Sequence, residues 1–135
     1  MENFNQQLIE EFRSHGGKVS GHFATSDVLL LTTRGAKSGK ETTTPVVYTK
    51  DGDRLVIVAS KGGAPTHPAW YHNLIAHPVV TVEVGTEKFK VRAVPVTGEE
   101  RTRLYEEHAK RYPSFKDYQA RTTRTIPVFL LERVK

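Results

Sequence analysis

The chain has 135 residues, 37% of them hydrophobic and 26% charged, the size and balance expected of a single globular domain over 1–135 that buries its own core. It contains no cysteine, which excludes thiol nucleophiles, disulfides, iron–sulfur clusters and cysteine-ligated zinc. Twenty Lys and Arg against 15 Asp and Glu give a net charge of +5, so an anionic partner is expected.

The polar start MENFNQQLIEE predicts no signal peptide, and the longest apolar run, Val28–Leu31, predicts no membrane span, so a cytoplasmic location is expected. Phe4, Leu8 and Phe12 recur at steps of four beside Ile9, which predicts a helix over about residues 3–14, ending before Gly16-Gly17. Its stripe is read as lying on the core. Weak membrane-surface association is the alternative, and Glu2, Glu10 and Glu11 against Arg13 alone argue against it.

VLLLTTR (28–34), TPVVYT (44–49) and RLVIVAS (54–60) are rich in β-branched residues and bounded by turn signals, which predicts three strands. Lys50-Asp51-Gly52-Asp53 predicts a tight hairpin, making the second and third antiparallel neighbours. Pro68 suits the first position of a short helix, capped by Thr66 or His67. In VVTVEV and KFKVRAVPV the apolar residues alternate with Thr, Lys, Glu and Arg, which predicts two strands with one wet face each. Thr97 and Glu100 form a capping-box signature for a helix running to Tyr112, with i,i+4 pairs Glu99–Arg103, Glu106–Lys110 and Glu107–Arg111. A shorter helix follows from Ser114 to about Arg121, and IPVFLLERV closes the chain as a sixth strand. Strand–helix alternation is absent, so the expected fold is α+β, mainly antiparallel: a six-stranded, closed or nearly closed barrel.

Three motifs carry chemistry. Gly35-Ala36-Lys37-Ser38-Gly39-Lys40 resembles a phosphate loop but fails as one: Arg34 stands where the first Gly is needed, Glu41 follows Lys40, and a strand follows the loop. What remains is a basic hairpin tip whose N–H groups can approach an anion. ASKGGAPTHPAWYHNL (59–74) passes from a strand through a Lys-Gly-Gly turn into the short helix, whose start offers free N–H donors. Trp70 and Leu74 packing on the core, with Tyr71 and Asn73 outward, explains it equally well. Tyr112, Phe115 and Tyr118, at steps of three, would line one helical face as an aromatic wall or pack in the core. His67, His72 and His77 are spaced by five, about 140° per step on a helix, so no metal site is expected. No G-x-S-x-G elbow supports a hydrolase, and scattered charge without a nucleic-acid fold signature gives no expectation of nucleic-acid binding.

FNQQLIEEFRSHGGKVSG, LLLTTRGAKSGKETTTPVVY, ASKGGAPTHPAWYHNL and YPSFKDYQARTTRTIPVF, in this order, resemble the deazaflavin (coenzyme F420)-dependent nitroreductase family, small reductases on an FMN-binding-like split β-barrel. The resemblance covers nearly the whole chain. It implies coenzyme F420 as cofactor, with its ring against Thr44, Pro45, Val46 and Val47 and against Val58, Ala59 and Ser60, and with Ala69, Trp70, Tyr71, His72 and Asn73 closing around it. It implies that Ala36, Lys37, Ser38, Thr42, Thr43, Thr44 and Lys61 hold the phosphate and the oligoglutamate tail, the anion that the net charge calls for.

The family chemistry is hydride transfer from the reduced deazaflavin to an electron-poor acceptor, a quinone, an enone or unsaturated lactone, or a nitro compound, followed by protonation. Ser60, Tyr112 and Tyr118 are the implied catalytic residues, with Phe115 beside them on the acceptor side and counted among the cofactor-binding residues. Relatives often carry Tyr at the position of Phe115, so a more apolar acceptor pocket is implied. An FMN-dependent oxidoreductase on a similar barrel and a non-catalytic deazaflavin carrier are the alternative readings.

Overall fold

The computed structural model describes residues 4–19 and 25–134. Their elements run α1 (Phe4–Ser14), β1 (Val28–Arg34), β2 (Glu41–Val47), β3 (Thr49–Asp51), β4 (Arg54–Val58), α2 (Ala69–Ala76), β5 (Val79–Val84), β6 (Glu87–Val96), α3 (Gly98–Arg111), α4 (Ser114–Ala120) and β7 (Val128–Arg133). The strands form one curled antiparallel sheet in the order β2-β1-β5-β6-β7-β4-β3, the split-barrel architecture expected.

There are seven strands rather than six because the expected strand TPVVYT breaks at Tyr48. Its first half pairs with β1, Val28 opposite Val47, and its second half pairs with β4, Thr49 opposite Val56. The two sheet edges are therefore one stretch of chain bent at a single residue. The Asp-Gly hairpin forms, with Asp51 opposite Arg54 and Gly52 at φ +64. The neighbour relation expected for the whole second strand holds only for its last three residues.

Burial explains why some strands read as continuous apolar runs and others alternate. In β1, Leu29 and Leu31 point into the barrel with Val46, Ile57, Val82 and Phe129, whereas Val28 and Leu30 point outward beneath Ile9 and Phe12 of α1. In β4 and β7, Ile57 and Phe129 face inward, and Val56, Val58, Val128 and Leu130 face Leu104, Tyr105 and Phe115 of α3 and α4. These strands are covered on both faces, so both faces are apolar. The outer faces of β5 and β6 are wetter: Val80, Val82, Val91 and Ala93 are buried while Lys90 and Arg92 are exposed.

The described apolar side chains of α1, Leu8, Ile9 and Phe12, are all buried, so they form a lid on β1. The helix is tied to β5 by a bidentate pair from Arg13 to Glu83, 3.0 Å at Nε and 2.8 Å at Nη2, which also holds the Glu83 carboxyl below the usual carboxylate range. None of the described helices is long and apolar enough to cross a membrane.

Two local expectations fail. Thr97 occupies the N-cap of α3 but its side chain makes no capping bond. The expected i,i+4 pairs of α3 are replaced by other contacts: Arg103 reaches Asp51 on β3 at 3.2 Å, Lys110 pairs with Glu107 at i,i+3, and Arg111 turns to Asp27. Exposed i,i+4 pairs are worth only a few tenths of a kcal/mol, so other nearby carboxylates, at i,i+3 or on other segments, outcompete them.

Candidate active site

A cavity of about 390 Å³ opens where the barrel parts. Its walls come from Pro45, Val46 and Val47 of β2, Val58 at the end of β4, the Ser60–Gly62 turn, Pro68 and Trp70 at the start of α2, and Tyr112, Ser114, Phe115 and Tyr118 from the α3–α4 corner, with Ser26 at its edge. Its volume lies in the range of ligand and cofactor pockets, roughly 300–1,000 Å³.

Each wall has a local cause. After Val58 the chain leaves the sheet through one last bond, Ala59 N–H to the carbonyl of Pro127 at 2.9 Å. It then coils into a 3-10 turn over Lys61–Gly63. Ser60 is right-handed (φ −77, ψ −38), while Lys61, Gly62 and Gly63 have φ of +48, +64 and +82. Glycine adopts such angles freely. For Lys61 they cost on the order of 1 kcal/mol. The turn presents the Ser60 hydroxyl, which has no partner among the described residues, at the cavity, while the Lys61 ammonium reaches Thr66 Oγ1 at 3.3 Å.

Gly63 is required for a second reason. A Cβ there would lie 2.7 Å from the carbonyl oxygen of Tyr118, so α4 sits directly on the turn.

The opposite wall is aromatic. Tyr112 and Phe115 have ring centroids 6.1 Å apart, and Phe115 and Tyr118 5.0 Å. The Tyr112 hydroxyl is fully engaged: it donates to the Tyr48 carbonyl at 2.9 Å and accepts from the Asp27 N–H at 3.0 Å, and burial pushes it up from the usual phenol range. The Tyr118 hydroxyl has no partner among the described residues.

Behind the wall His108 is fully buried, its ring 4.5 Å from that of Phe115. Nδ1 meets the Thr49 hydroxyl at 3.0 Å, Nε2 has no partner among the described residues, and burial lowers its pKa from 6.5 to about 4.

The cavity thus gathers Pro45, Val46, Val47, Val58, Ser60, Lys61, Trp70, Tyr112, Phe115 and Tyr118 from the set singled out in the sequence. The others lie elsewhere. Ala59 is fully buried behind the wall, and Ala69 and His72 are exposed. Tyr71 packs on the core instead of facing outward. It stacks on His67 at 4.0 Å and approaches Phe129 at 5.8 Å.

Asn73 faces the β1–β2 loop: its Nδ2 donates to Thr33 Oγ1 at 3.0 Å and its Oδ1 accepts the Ala36 N–H at 2.9 Å. The N–H of Ala36 is therefore taken. Lys37 and Ser38 are exposed at the hairpin tip, and Ser38 Oγ accepts the N–H of Lys40 at 3.2 Å. On β2, Thr43 bonds Thr32 at 2.8 Å, and Thr42 and Thr44 share the other face of the strand with Val46.

Pro68 takes the N-cap of α2 rather than its first helical position. His67 lies before the helix, so no helical rotation separates it from His72, and the two rings stand 5.9 Å apart.

Sequence reasoning missed Ser26, Gly62, Pro68 and Ser114 as lining residues, and it missed Arg124. The Arg124 guanidinium donates to the carbonyls of Ala64 (2.9 Å), Ala59 (3.3 Å) and Ser60 (2.8 Å) and meets His67 Nδ1 at 3.0 Å. Burial, then Arg124 and His72, hold His67 below the ordinary imidazole value, so His67 can accept at Nδ1 as a neutral ring. These partners are 57 to 65 residues from Arg124, and no local pattern announces them.

A half-open barrel with an apolar slot, a turn rich in positive φ and a lysine at its rim belongs to the class of split-barrel cofactor-binding proteins. The family model described as F420H2-dependent quinone reductase matches residues 5–133, and the chain belongs to that family. It is therefore an oxidoreductase that works with coenzyme F420.

The chain is 48% identical over 111 residues, 78% of its own length and 72% of the relative's, to an F420H2-dependent quinone reductase of Mycobacterium tuberculosis strain H37Rv. Among solved structures it resembles an F420-H2 dependent reductase with TM-score 0.72 and 40% identity, covering 78% of this chain and 94% of that one. It also resembles a domain-swapped dimer with TM-score 0.75 and 36% identity, covering 94% and 93%.

Proposed function

We propose that the protein reduces a quinone with F420H2, the cofactor ring and the acceptor meeting in the cavity at the barrel's opening. The observation that carries this reading is that one cavity joins the Ser60–Gly62 turn and Trp70 to the Tyr112–Phe115–Tyr118 wall. The residues present fit the cofactor. Val46, Val47, Val58 and Trp70 offer apolar surface to a planar ring, and Lys61 stands at the rim.

Beyond the rim, Lys37, Lys40 and the hydroxyls of Thr42 and Thr44 would hold the phosphate and tail, with Asn73 fixing the root of their loop through Ala36. When bound and reduced, the cofactor supplies a hydride, and the acceptor takes it together with one proton.

The chain's own residues orient and enclose. The apolar walls exclude water and hold two rings in contact, which converts an encounter into an intramolecular step. With the Tyr112 hydroxyl committed to Tyr48 and Asp27, Tyr118 is the residue whose hydroxyl can give the proton to the acceptor oxygen. Phe115 adds no hydroxyl, which favours a flat apolar quinone over an enone, an unsaturated lactone or a nitroimidazole. Because the walls span residues 26 to 118, we read the chain as one functional unit.

Titration with F420 and with FMN, followed by mixing the F420H2 complex with a naphthoquinone, an enone lactone and a nitroimidazole, tests the proposal. Saturable F420 binding and fastest reoxidation by the naphthoquinone are expected. FMN binding without F420 binding would overturn it, as would tight F420H2 binding that no acceptor reoxidises.

A further inference from the structure

We infer that Arg124 is a positioning residue, whose guanidinium turns the backbone N–H groups of Ser60 and Lys61 toward the cavity as a paired donor site for a ring carbonyl oxygen of the cofactor. The inference rests on the proposed function for the identity of that ligand.

In a trans peptide the carbonyl of one residue and the N–H of the next point in opposite directions, and no peptide bond here is cis. Arg124 draws the carbonyls of Ala59 and Ser60 to itself, at 3.3 and 2.8 Å. The N–H groups of Ser60 and Lys61 must then face away from it. Ser60 and Lys61 line the cavity, and Arg124 does not.

The dihedrals agree independently. A right-handed residue followed by a left-handed one, Ser60 at φ −77 and Lys61 at φ +48, aims successive N–H groups into one concavity that accepts a negatively polarised atom. The strained angle at Lys61 needs something to hold it: the turn's own bonds, Gly63 N–H to the Ser60 carbonyl at 3.0 Å and Ala64 N–H to the Lys61 carbonyl at 3.1 Å, do so together with the guanidinium on the Ala59 and Ser60 carbonyls. Its remaining bonds to the Ala64 carbonyl and His67 Nδ1 pin the far end of the loop, so the turn cannot relax by unwinding. A planar fork suits four such acceptors. A lysine ammonium, with three tetrahedral donors, does not.

The test uses the whole chain with Arg124→Met and Arg124→Lys, each checked for folding by its thermal transition. Two readouts follow: the F420 dissociation constant, and the amide chemical shifts of Ser60 and Lys61 as F420 is added. In the wild type both amides shift on binding. Arg124→Met should weaken F420 by about tenfold, the scale of one or two lost backbone hydrogen bonds, and should lose those shifts, with Arg124→Lys in between. A purely structural Arg124 would lower the melting temperature and leave the affinity of the folded protein unchanged.

Wild-type affinity in folded Arg124→Met, or Ser60 and Lys61 amides that ignore F420 in the wild type, would overturn the inference while the proposed function stood. A wild type that takes up no F420 would overturn both. Should Arg124→Met not fold, Arg124→Lys decides by the same two readouts.

Discussion

His108 should make the protein lose stability on mild acidification, and the size of the loss can be worked out. Its ring is fully buried against Tyr112 and Phe115, with one partner at Nδ1 and none at Nε2, and its pKa falls from 6.5 to about 4 because burial disfavours the charged ring. Between those two values the unfolded chain carries a proton that the folded chain refuses. The penalty is absent above the unfolded pKa and grows as pH falls toward the folded one. At about 1.4 kcal/mol per pH unit the full penalty is about 3 kcal/mol, of which about 2 kcal/mol should be felt between pH 7 and pH 5.

Asp51 and Glu83, whose carboxyls are held low by arginines, also destabilise on acidification, but at pH values near or below the carboxylate range. A difference experiment separates them. Denaturant unfolding of the wild type and of His108→Leu at pH 7 and pH 5 should show the wild type losing about 2 kcal/mol more than the variant. Equal losses in the two proteins would mean that His108 titrates normally and that the wall behind the cavity is wet.

Three further outcomes are expected. Lys61→Ala and, separately, Lys37→Ala should each weaken F420 binding about fivefold, with the loss shrinking at high salt; unchanged dissociation constants in both would remove the anion-site assignment. Tyr118→Phe should lower kcat on the order of 100-fold without changing cofactor affinity, and wild-type turnover in the variant would mean that water supplies the proton instead. Gly63→Ala, at φ +82 and with its Cβ 2.7 Å from the Tyr118 carbonyl oxygen, should cost about 2 kcal/mol or more in chemical denaturation; a loss under half that would show that α4 does not bear on the turn.

Local signals carried the fold well where one face of an element meets water. The alternation in VVTVEV and KFKVRAVPV and the Asp-Gly turn both correspond to elements whose shape is set by their nearest neighbours in sequence. The failures have a common physical origin. Tyr48 breaks a strand because of Asp27 and Tyr112, whose hydroxyl lies 64 residues further along the chain. Arg103 abandons Glu99 for Asp51, 52 residues away. Arg124 sits in TTRT, a stretch with no periodicity to interpret. The strand residues that line the cavity were legible as candidates because the quoted motifs contain them. Asn73 and Ala36 were expected to contact ligand, whereas their polar groups bond each other across the β1–β2 loop, which spacing alone does not reveal.

The strand break and the cavity are one feature. Because the chain leaves β1 at Val47 and joins β4 at Thr49, the ends of β2 and β4 do not pair with each other, and Val47 and Val58 face the gap between them. An unpaired seam in a barrel leaves backbone groups that must be satisfied. Here the Tyr112 hydroxyl takes the Tyr48 carbonyl and the Asp27 N–H, while the Tyr48 N–H goes to the Asp27 carbonyl. The side chain that closes the seam is also the first ring of the aromatic wall. Removing that hydroxyl would therefore loosen the barrel and the acceptor side together, whereas Tyr118, with its hydroxyl unbonded, can be altered without touching the seam. Tyr112→Phe should accordingly lower the melting temperature as well as turnover, and Tyr118→Phe turnover alone.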